Sequence, residues 1–160
     1  MRNVQNPALG ALLIWRFACA YREAHQTKDA APITLAYLVL PLLLHEQSQS
    51  AVRSTLAASG LRAAIAKFSE SKNPRQDLLI ALHNRALRLR ALTTSSLGIA
   101  VAKSLVSLDA QARITALSTT PARATLSADV QKLATDSEKF GRWCAELSLH
   151  EVSAALKVRF

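Results

Sequence analysis

Fifteen consecutive residues without a charge, Ala30 through Leu44, constrain this chain more than any other feature of its sequence. The run is shorter than the roughly 20 apolar residues needed to cross a bilayer, and Pro41 interrupts it, so we do not expect a membrane span. From Thr34 onwards it is apolar around a helical wheel, which predicts a helix opened by Pro32 and buried on every side. Pro41 is expected to kink this helix or to split it in two.

Composition favours a mainly α fold. The 160 residues have the length of one domain, 1–160, and half of them are hydrophobic while only 5% are aromatic. A core made of Leu, Ala, Val and Ile favours helices. The polar N-terminus does not resemble a signal peptide, so we expect a cytoplasmic protein. Cys19 and Cys144 lack CxxC spacing and are expected to be reduced, buried thiols.

Periodicity and capping residues predict the helices. Asn6-Pro7 is a typical helix start, and the apolar stripe that follows predicts an amphipathic helix over 7–25. The most regular amphipathic pattern runs from Arg75 to Leu92, where the hydroxyls of Thr93–Ser96 are expected to end the helix. Shorter or less regular segments give the remaining elements: a short helix that stops at Gly60, a helix over 61–68, a loop over 69–76, helices over 97–103 and 127–147, a last helix from Ser148, and an edge strand in the final LKVRF.

One β-hairpin is expected within 104–118. Val106 and Leu108 alternate with polar neighbours, Asp109–Gln111 form a turn, and alternation resumes over 112–116, although the turn lacks glycine. Helix, helix and hairpin over 74–118 is the order of a winged-helix module. The predicted fold is therefore a compact helical domain with one hairpin, for which a winged-helix-like portion over 74–118 is one interpretation.

Positive charge is concentrated in the middle of the chain. Residues 53–103 contain nine Lys and Arg against two acids, whereas the flanking segments are nearly balanced. Such a field attracts nucleic acid or an acidic protein surface. The candidate phosphate contacts are Arg75, Arg85, Arg88, Arg90 and Lys103. On a helical wheel the arginines of 75–92 fan out, so a solvated face or a protein partner is the alternative.

No pattern in the sequence indicates catalysis. The four histidines are scattered singly, and the four glycines form neither a GxSxG, a P-loop nor a GxGxxG motif. His45, which follows the apolar run, fits a histidine at a helix C-terminus better than a catalytic base. We therefore expect no enzyme activity, no metal site and no cofactor.

Both ends of the chain resemble the middle component of bacterial three-component ABC-ATPase systems. The opening segments "NPALGALLIWRFACAY" and "PITLAYLVLPLLLH" have that family's Asn-Pro start and its Leu-rich segment ending in Leu-Pro-Leu and His. "KLATDSEKFGRWCAELSLHEVSAALKVRF" is similar to the family's closing pattern. The resemblance covers 6–47 and 132–160. Cys19-Ala20 and Trp143-Cys144 depart from it, because Gly and Phe are expected near those aromatic positions.

The resemblance implies a non-catalytic adaptor in an anti-phage defence system of the Lamassu type. Its partners would be an SMC/Rad50-like ATPase and an effector, often a nuclease, with double-stranded DNA reached through the complex and no contact with a membrane. The apolar N-terminal half would then supply an interface, for which the candidates are Trp15, Tyr37, Leu40 and Leu43. An ordinary core helix explains the same run without a partner. A free-standing winged-helix transcriptional regulator is the alternative function, and a small hydrolase is disfavoured.

Overall fold

The computed structural model describes residues 6–70, 75–118 and 126–160, with the side chains of all of these except 69, 70 and 75–78. The mainly α fold expected from composition is confirmed. Within the described residues the elements are α1 (Pro7–Ala24), β1 (Ala31–Pro32), α2 (Ile33–Leu43), α3 (Glu46–Ser54), α4 (Gly60–Ala66), α5 (Arg75–Arg88), α6 (Arg90–Ala102), β2 (Val106–Leu108), β3 (Arg113–Ala116), α7 (Ala128–Ala145) and α8 (Leu149–Leu156), with 3₁₀ turns at Ala57–Ser59 and Lys67–Glu70.

Helix α1 lies at the centre and packs closely against α7 and α6. The predicted start is confirmed, because the Asn6 side chain accepts hydrogen bonds from the backbone N–H groups of Ala8 and Leu9. On the α7 side, the Ser137 hydroxyl donates to the Leu13 carbonyl over 2.6 Å. Gly141 of α7 faces the backbone of α1 so closely that an added Cβ would lie 2.5 Å from the Phe17 oxygen. Small residues therefore set the distance between these two helices.

The uncharged run forms α2, and eight of its eleven residues are buried. The helix continues through Pro41 to Leu43, so the prolines do not split it. Its carbonyl end is satisfied from outside, because the Ser48 hydroxyl of α3 donates to the Leu42 oxygen over 2.7 Å. The expectation of a buried helix is confirmed.

The predicted break at Thr93–Ser96 is wrong, since α5 ends at Arg88 and α6 begins at Arg90. The hydroxyls do not end the helix because they bond to carbonyls one turn earlier: Thr93 to Leu89 over 3.1 Å and Ser96 to Leu92 over 2.8 Å. Ser and Thr hydroxyls can either cap the end of a helix or bond back to a carbonyl of the preceding turn, and here they do the latter. Close packing holds it in place, because Ser96 lies directly against Gly10 of α1.

The hairpin is confirmed, with β2 and β3 antiparallel and Val106 opposite Ala116. The glycine that the turn lacks is replaced by Ala112 in the left-handed region, at φ 56°. The Asp109 carboxylate supports the turn by accepting from the backbone N–H groups of Gln111 and Arg113, each over 2.9 Å.

A third strand, β1, pairs antiparallel with β3 and was not expected from the sequence. It comes from Ala31–Pro32, which lies outside the segment 74–118 of the winged-helix interpretation. The sheet joins two separate parts of the chain, 7–43 and 90–116, and its strand order is β1-β3-β2. Residues 44–89 lie between those two parts.

The C-terminal region agrees with the sequence except at its last residues. Ser127 caps α7, and Ser148 with Glu151 forms a capping box at the start of α8. The predicted edge strand in LKVRF is wrong. Lys157 is left-handed at φ 51°, and the Val158 N–H turns back to the Ser153 carbonyl.

Two boundaries in the first half also differ from prediction. Gly60, at φ 80°, ends the short 3₁₀ turn but is also the first residue of α4. The predicted loop over 69–76 is only partly described: 69–70 belong to a 3₁₀ turn, 75–76 begin α5, and 71–74 lie outside the described residues.

Candidate interaction surfaces

Helix α5 presents apolar side chains on both of its sides. Leu79 and Leu82 are fully buried and attach the helix to the core. Ile80 and Leu87 point the other way, with 55% and 59% of their surfaces exposed. These two lie two turns apart within about 20° on a helical wheel, and the exposed side chains next to them complete a surface that we call the α5 face: Ile80, Asn84, Leu87 and Arg88.

Arg85 lies on α5 about 140° around the helix from Ile80, outside the α5 face, and is only 9% exposed. Its Nε and Nη1 atoms are buried and have no hydrogen-bond partner among the residues that the structure describes. Burial, and after it the charge of Arg88, lower the pKa of the Arg85 guanidinium to about 10. A buried cation without a paired group is unfavourable, so this side chain is incompletely satisfied among the residues that the structure describes.

The structure separates the basic residues that the sequence grouped together. Arg88 and Arg90 are both exposed at the junction of α5 and α6. Lys103 is exposed too, but it follows the far end of α6, about 20 Å along the helix from Arg90. Arg85 is buried, and the side chain of Arg75 lies outside the described residues. The described basic residues therefore do not form a compact patch.

A second surface is an apolar groove between α6 and the hairpin, which we call the hairpin groove. Its volume is about 340 Å³. Val101 and Leu108 are half exposed at its rim, and open space lies over Gly98. Its lining is Leu97, Gly98, Val101, Ala102, Val106, Leu108 and Ile114. Sequence reasoning missed this groove, because the same alternation that predicts a hairpin does not show which apolar side chains remain uncovered.

Most of the predicted partner interface lies inside the chain's own core. Leu40 and Leu43 are fully buried, and Trp15 is almost so, with its indole N–H donating to the Ser118 carbonyl over 2.8 Å. Tyr37 alone of the four is partly exposed, and its hydroxyl bonds to that of Thr94 over 3.0 Å. These contacts are internal because α2 is enclosed by other helices of the chain. The core interpretation of the apolar run therefore accounts for its sequence.

Ion pairs line a third surface, between α1 and α7. Arg16 pairs with Glu138 on the partner helix, and Arg142 pairs with Glu23 over 3.8 Å. Cys19 lies between them, and burial raises the pKa of its thiol to about 11. The thiolate is the nucleophilic form, and this raised pKa favours the neutral thiol at Cys19 near neutral pH.

The two cysteines are free thiols, but their burial differs. Cys144 is fully buried, as expected, whereas Cys19 is partly exposed and its thiol lies 3.1 Å from the Ser118 carbonyl oxygen. Within 6–70, 75–118 and 126–160, no three His, Cys, Asp or Glu side chains come together as metal ligands. No helix in this part of the chain is long and apolar enough to cross a membrane.

Comparison with known families defines the class of protein to which these surfaces belong. The chain is a middle component of an ABC-three component (ABC-3C) system. It belongs to the family Middle Component 3, MC3, whose model matches residues 1–160 and therefore includes the middle segment that showed no resemblance. Neither a curated protein nor a solved structure gives a match.

Proposed function

We propose that this chain is a non-catalytic adaptor that holds an SMC/Rad50-like ATPase and an effector, most simply a nuclease, in one anti-phage complex of the Lamassu type. Membership of the MC3 family along the whole chain carries the proposal, because it makes the chain the middle component of a three-component system. The same membership favours an adaptor over a free-standing transcriptional regulator.

Two separate surfaces support a bridging role. The α5 face and the hairpin groove share no residue and belong to different elements. Each exposes at least two large apolar side chains, and clusters of exposed apolar residues mark binding sites more often than isolated ones do. An adaptor that joins two proteins needs two such surfaces.

A protein partner fits the groove better than DNA does. In a winged-helix arrangement α6 would be the helix that enters the major groove. Its exposed residues are mostly short: Ala91, Thr94, Ser95, Gly98 and Ala102. Base readout and phosphate contact depend on long polar side chains such as Arg, Lys, Asn and Gln, and only Arg90 and Lys103 at the two ends of the helix are of that kind.

Co-expression with the other components of the system tests the proposal. Leu87→Glu on the α5 face and Val101→Glu in the hairpin groove should each release a different component from the complex while the other stays bound. Leu56→Glu is the matched control, because Leu56 is 74% exposed and lies on neither surface. If neither component copurifies with the wild-type chain, the adaptor role is refuted.

The proposed absence of catalysis has its own test. ATP hydrolysis and nucleic-acid cleavage should be found with the assembled complex but not with this chain alone. Turnover of either substrate by the purified chain would contradict the proposal.

A further inference from the structure

We propose that the hairpin groove is the docking site for an amphipathic helix of another component of the same system. This inference rests on the adaptor role proposed above. The helix would place one large apolar side chain in the open space over Gly98 and an Asp or Glu two turns away, opposite Arg90.

Gly98 is the first argument, because it has no evident role in the chain's own fold. Of the four glycines, Gly10 and Gly141 lie where an added Cβ would overlap with another helix, and Gly60 has a positive φ of 80°. Gly98 lies inside α6, outside the left-handed region, and no described residue comes within 4 Å of an added Cβ. A glycine inside a helix is less stable than an alanine, and the close approach of another molecule is one reason for its use. At Gly98 that molecule would come from outside the chain.

The chemistry of the groove selects an apolar occupant. Its lining has no charged or polar side chain, and Val101 and Leu108 are 45% and 51% exposed at its rim. A partner that covers these two side chains gains the free energy of removing apolar surface from water. The volume of about 340 Å³ lies at the small end of the range for binding pockets, roughly 300–1,000 Å³, which suits a few side chains of a docked segment and not a folded domain.

Arg90 adds charge complementarity on the same side of α6. On a helical wheel it lies about 20° from each of the lining residues Leu97 and Val101, and it precedes Leu97 by seven residues, which is about 10 Å along the helix axis. Its side chain is exposed, and the ion pairs among the described residues do not include it. An acid on the partner would therefore meet an unpaired cation at this end of the groove.

These positions fit a partner helix better than a second copy of this chain. Arg90 precedes Gly98 by eight residues, about 12 Å along α6, and a helix that lies along α6 covers that distance in about two turns. Amphipathic helices that bind in grooves repeat their contacts at such spacings. A second copy that docked through α6 would bring no acid to Arg90, because α6 contains neither Asp nor Glu.

The decisive experiment replaces Gly98 by Met, which fills the open space. In the isolated chain, G98M should have a thermal midpoint no lower than that of wild type, because Met favours a helix more than Gly does and the added side chain meets no described residue. In the complex reassembled from co-expressed components, G98M should weaken the Kd for the component that Val101→Glu releases at least tenfold. Ala58→Met is the matched control, because Ala58 is exposed and lies on neither surface, and it should leave the Kd unchanged.

The charge of Arg90 is tested separately. Arg90→Gln should weaken the same Kd about fivefold, which is the upper range for an exposed ion pair, and should reduce its salt dependence. Arg159→Gln is the matched control, because Arg159 is exposed and belongs to neither surface. Equal salt dependence for wild type and R90Q would refute the pairing of Arg90 with an acid.

A photo-crosslinking residue in place of Leu108 identifies the docked segment. We expect a helix that carries a large apolar residue and, about two turns away, an Asp or Glu. Replacing that acid by Lys should restore binding to Arg90→Glu. Crosslinks to a segment without an acid at that spacing would overturn the choice of occupant.

The remaining outcomes separate this inference from the adaptor role. Should the wild-type chain bind neither component, the adaptor role itself fails. If it binds both and G98M binds as tightly as wild type, the adaptor role stands and the docking site in the hairpin groove is refuted. If G98M instead dissociates a dimer of the isolated chain, the occupant is a second copy. If it abolishes binding of a fluorescent fatty acid while the complex stays intact, the occupant is a small apolar molecule.

Discussion

Gly141 offers a direct test of how this fold is held together. A Cβ at this position would lie 2.5 Å from the Phe17 oxygen, 3.2 Å from the Tyr21 nitrogen and 3.3 Å from the Ala20 Cβ. The two nearest atoms are backbone, so no side-chain rotation relieves the overlap, and α1 and α7 must move apart. Overpacking of this kind costs about 1–3 kcal/mol, and the shared backbone contact places Gly141→Ala at the upper end of that range.

Gly98 is the matched control, because it also lies inside a helix but has nothing within 4 Å of an added Cβ. Replacing a helical glycine by alanine stabilises by up to about 1 kcal/mol through helix propensity. Both variants gain this amount, and only G141A loses packing. We therefore expect G98A to be about 1 kcal/mol more stable than wild type and G141A about 2 kcal/mol less stable.

Urea denaturation followed by circular dichroism and by the fluorescence of the two buried tryptophans, Trp15 and Trp143, measures both variants under identical conditions. Thermal melts of the same two variants give a second measurement. For a chain of this size, about 1 kcal/mol corresponds to 2–4 °C, so the two thermal midpoints should differ by roughly 6–12 °C. Equal stabilities for G141A and G98A would show that α1 and α7 do not pack at the distance described here, and would refute the reasoning.

Three other predictions concern packing, pH and the hairpin turn. Gly10→Ala should lower the free energy of unfolding by about 2 kcal/mol, because its Cβ would lie 2.1 Å from the Ser96 Oγ. In a double-mutant cycle, S96A should restore only part of this stability, since the Ser96 Cβ remains 2.9 Å from the added Cβ. Burial raises the pKa of Asp136 above 3.8, although the charge of Arg53 acts in the opposite direction. Wild type should therefore lose stability relative to D136N as the pH rises from about 4, and thermal melts of both proteins between pH 3 and 7 measure this difference. Ala112→Gly should stabilise by about 0.5 kcal/mol and A112V should destabilise by about 2 kcal/mol in urea, because the left-handed backbone at φ 56° suits Gly and excludes a branched side chain.

The Asp136 sign follows from proton binding. A carboxyl group whose pKa is raised by folding holds its proton more tightly in the native state than in the unfolded chain. Its stabilising effect is therefore complete below the unfolded pKa and disappears as pH rises through the higher folded value. A difference between wild type and D136N that grows with pH in favour of wild type would contradict the assigned burial.

The sequence predicted the elements whose signals are local. Asn6-Pro7, Ser127 and Ser148 begin helices because their side chains satisfy N–H groups within the next turn. The hairpin could be predicted for the same reason, since alternation over 106–116 and the Asp109 side chain act within a few residues.

The errors arose where two local conformations have similar energies. Hydroxyls such as those of Thr93 and Ser96 can end a helix or bond back within it, and contact with α1 decides for the second conformation. The strand at Ala31–Pro32 is only two residues long, so it exists through pairing with β3, more than 80 residues later in the chain.

The apolar N-terminal half shows most clearly what the sequence alone determined and what it did not. Composition and spacing established that α2 must be buried, because its apolar surface is too large to face water. They did not establish what covers it, since a side chain such as Leu40 is equally suited to a core and to an interface. Only the tertiary structure decided this, because it encloses Leu40 within the chain and leaves Ile80 and Leu87 exposed on α5. Whether an apolar side chain is exposed depends on how helices that are distant in sequence pack together, and the local pattern does not contain that information.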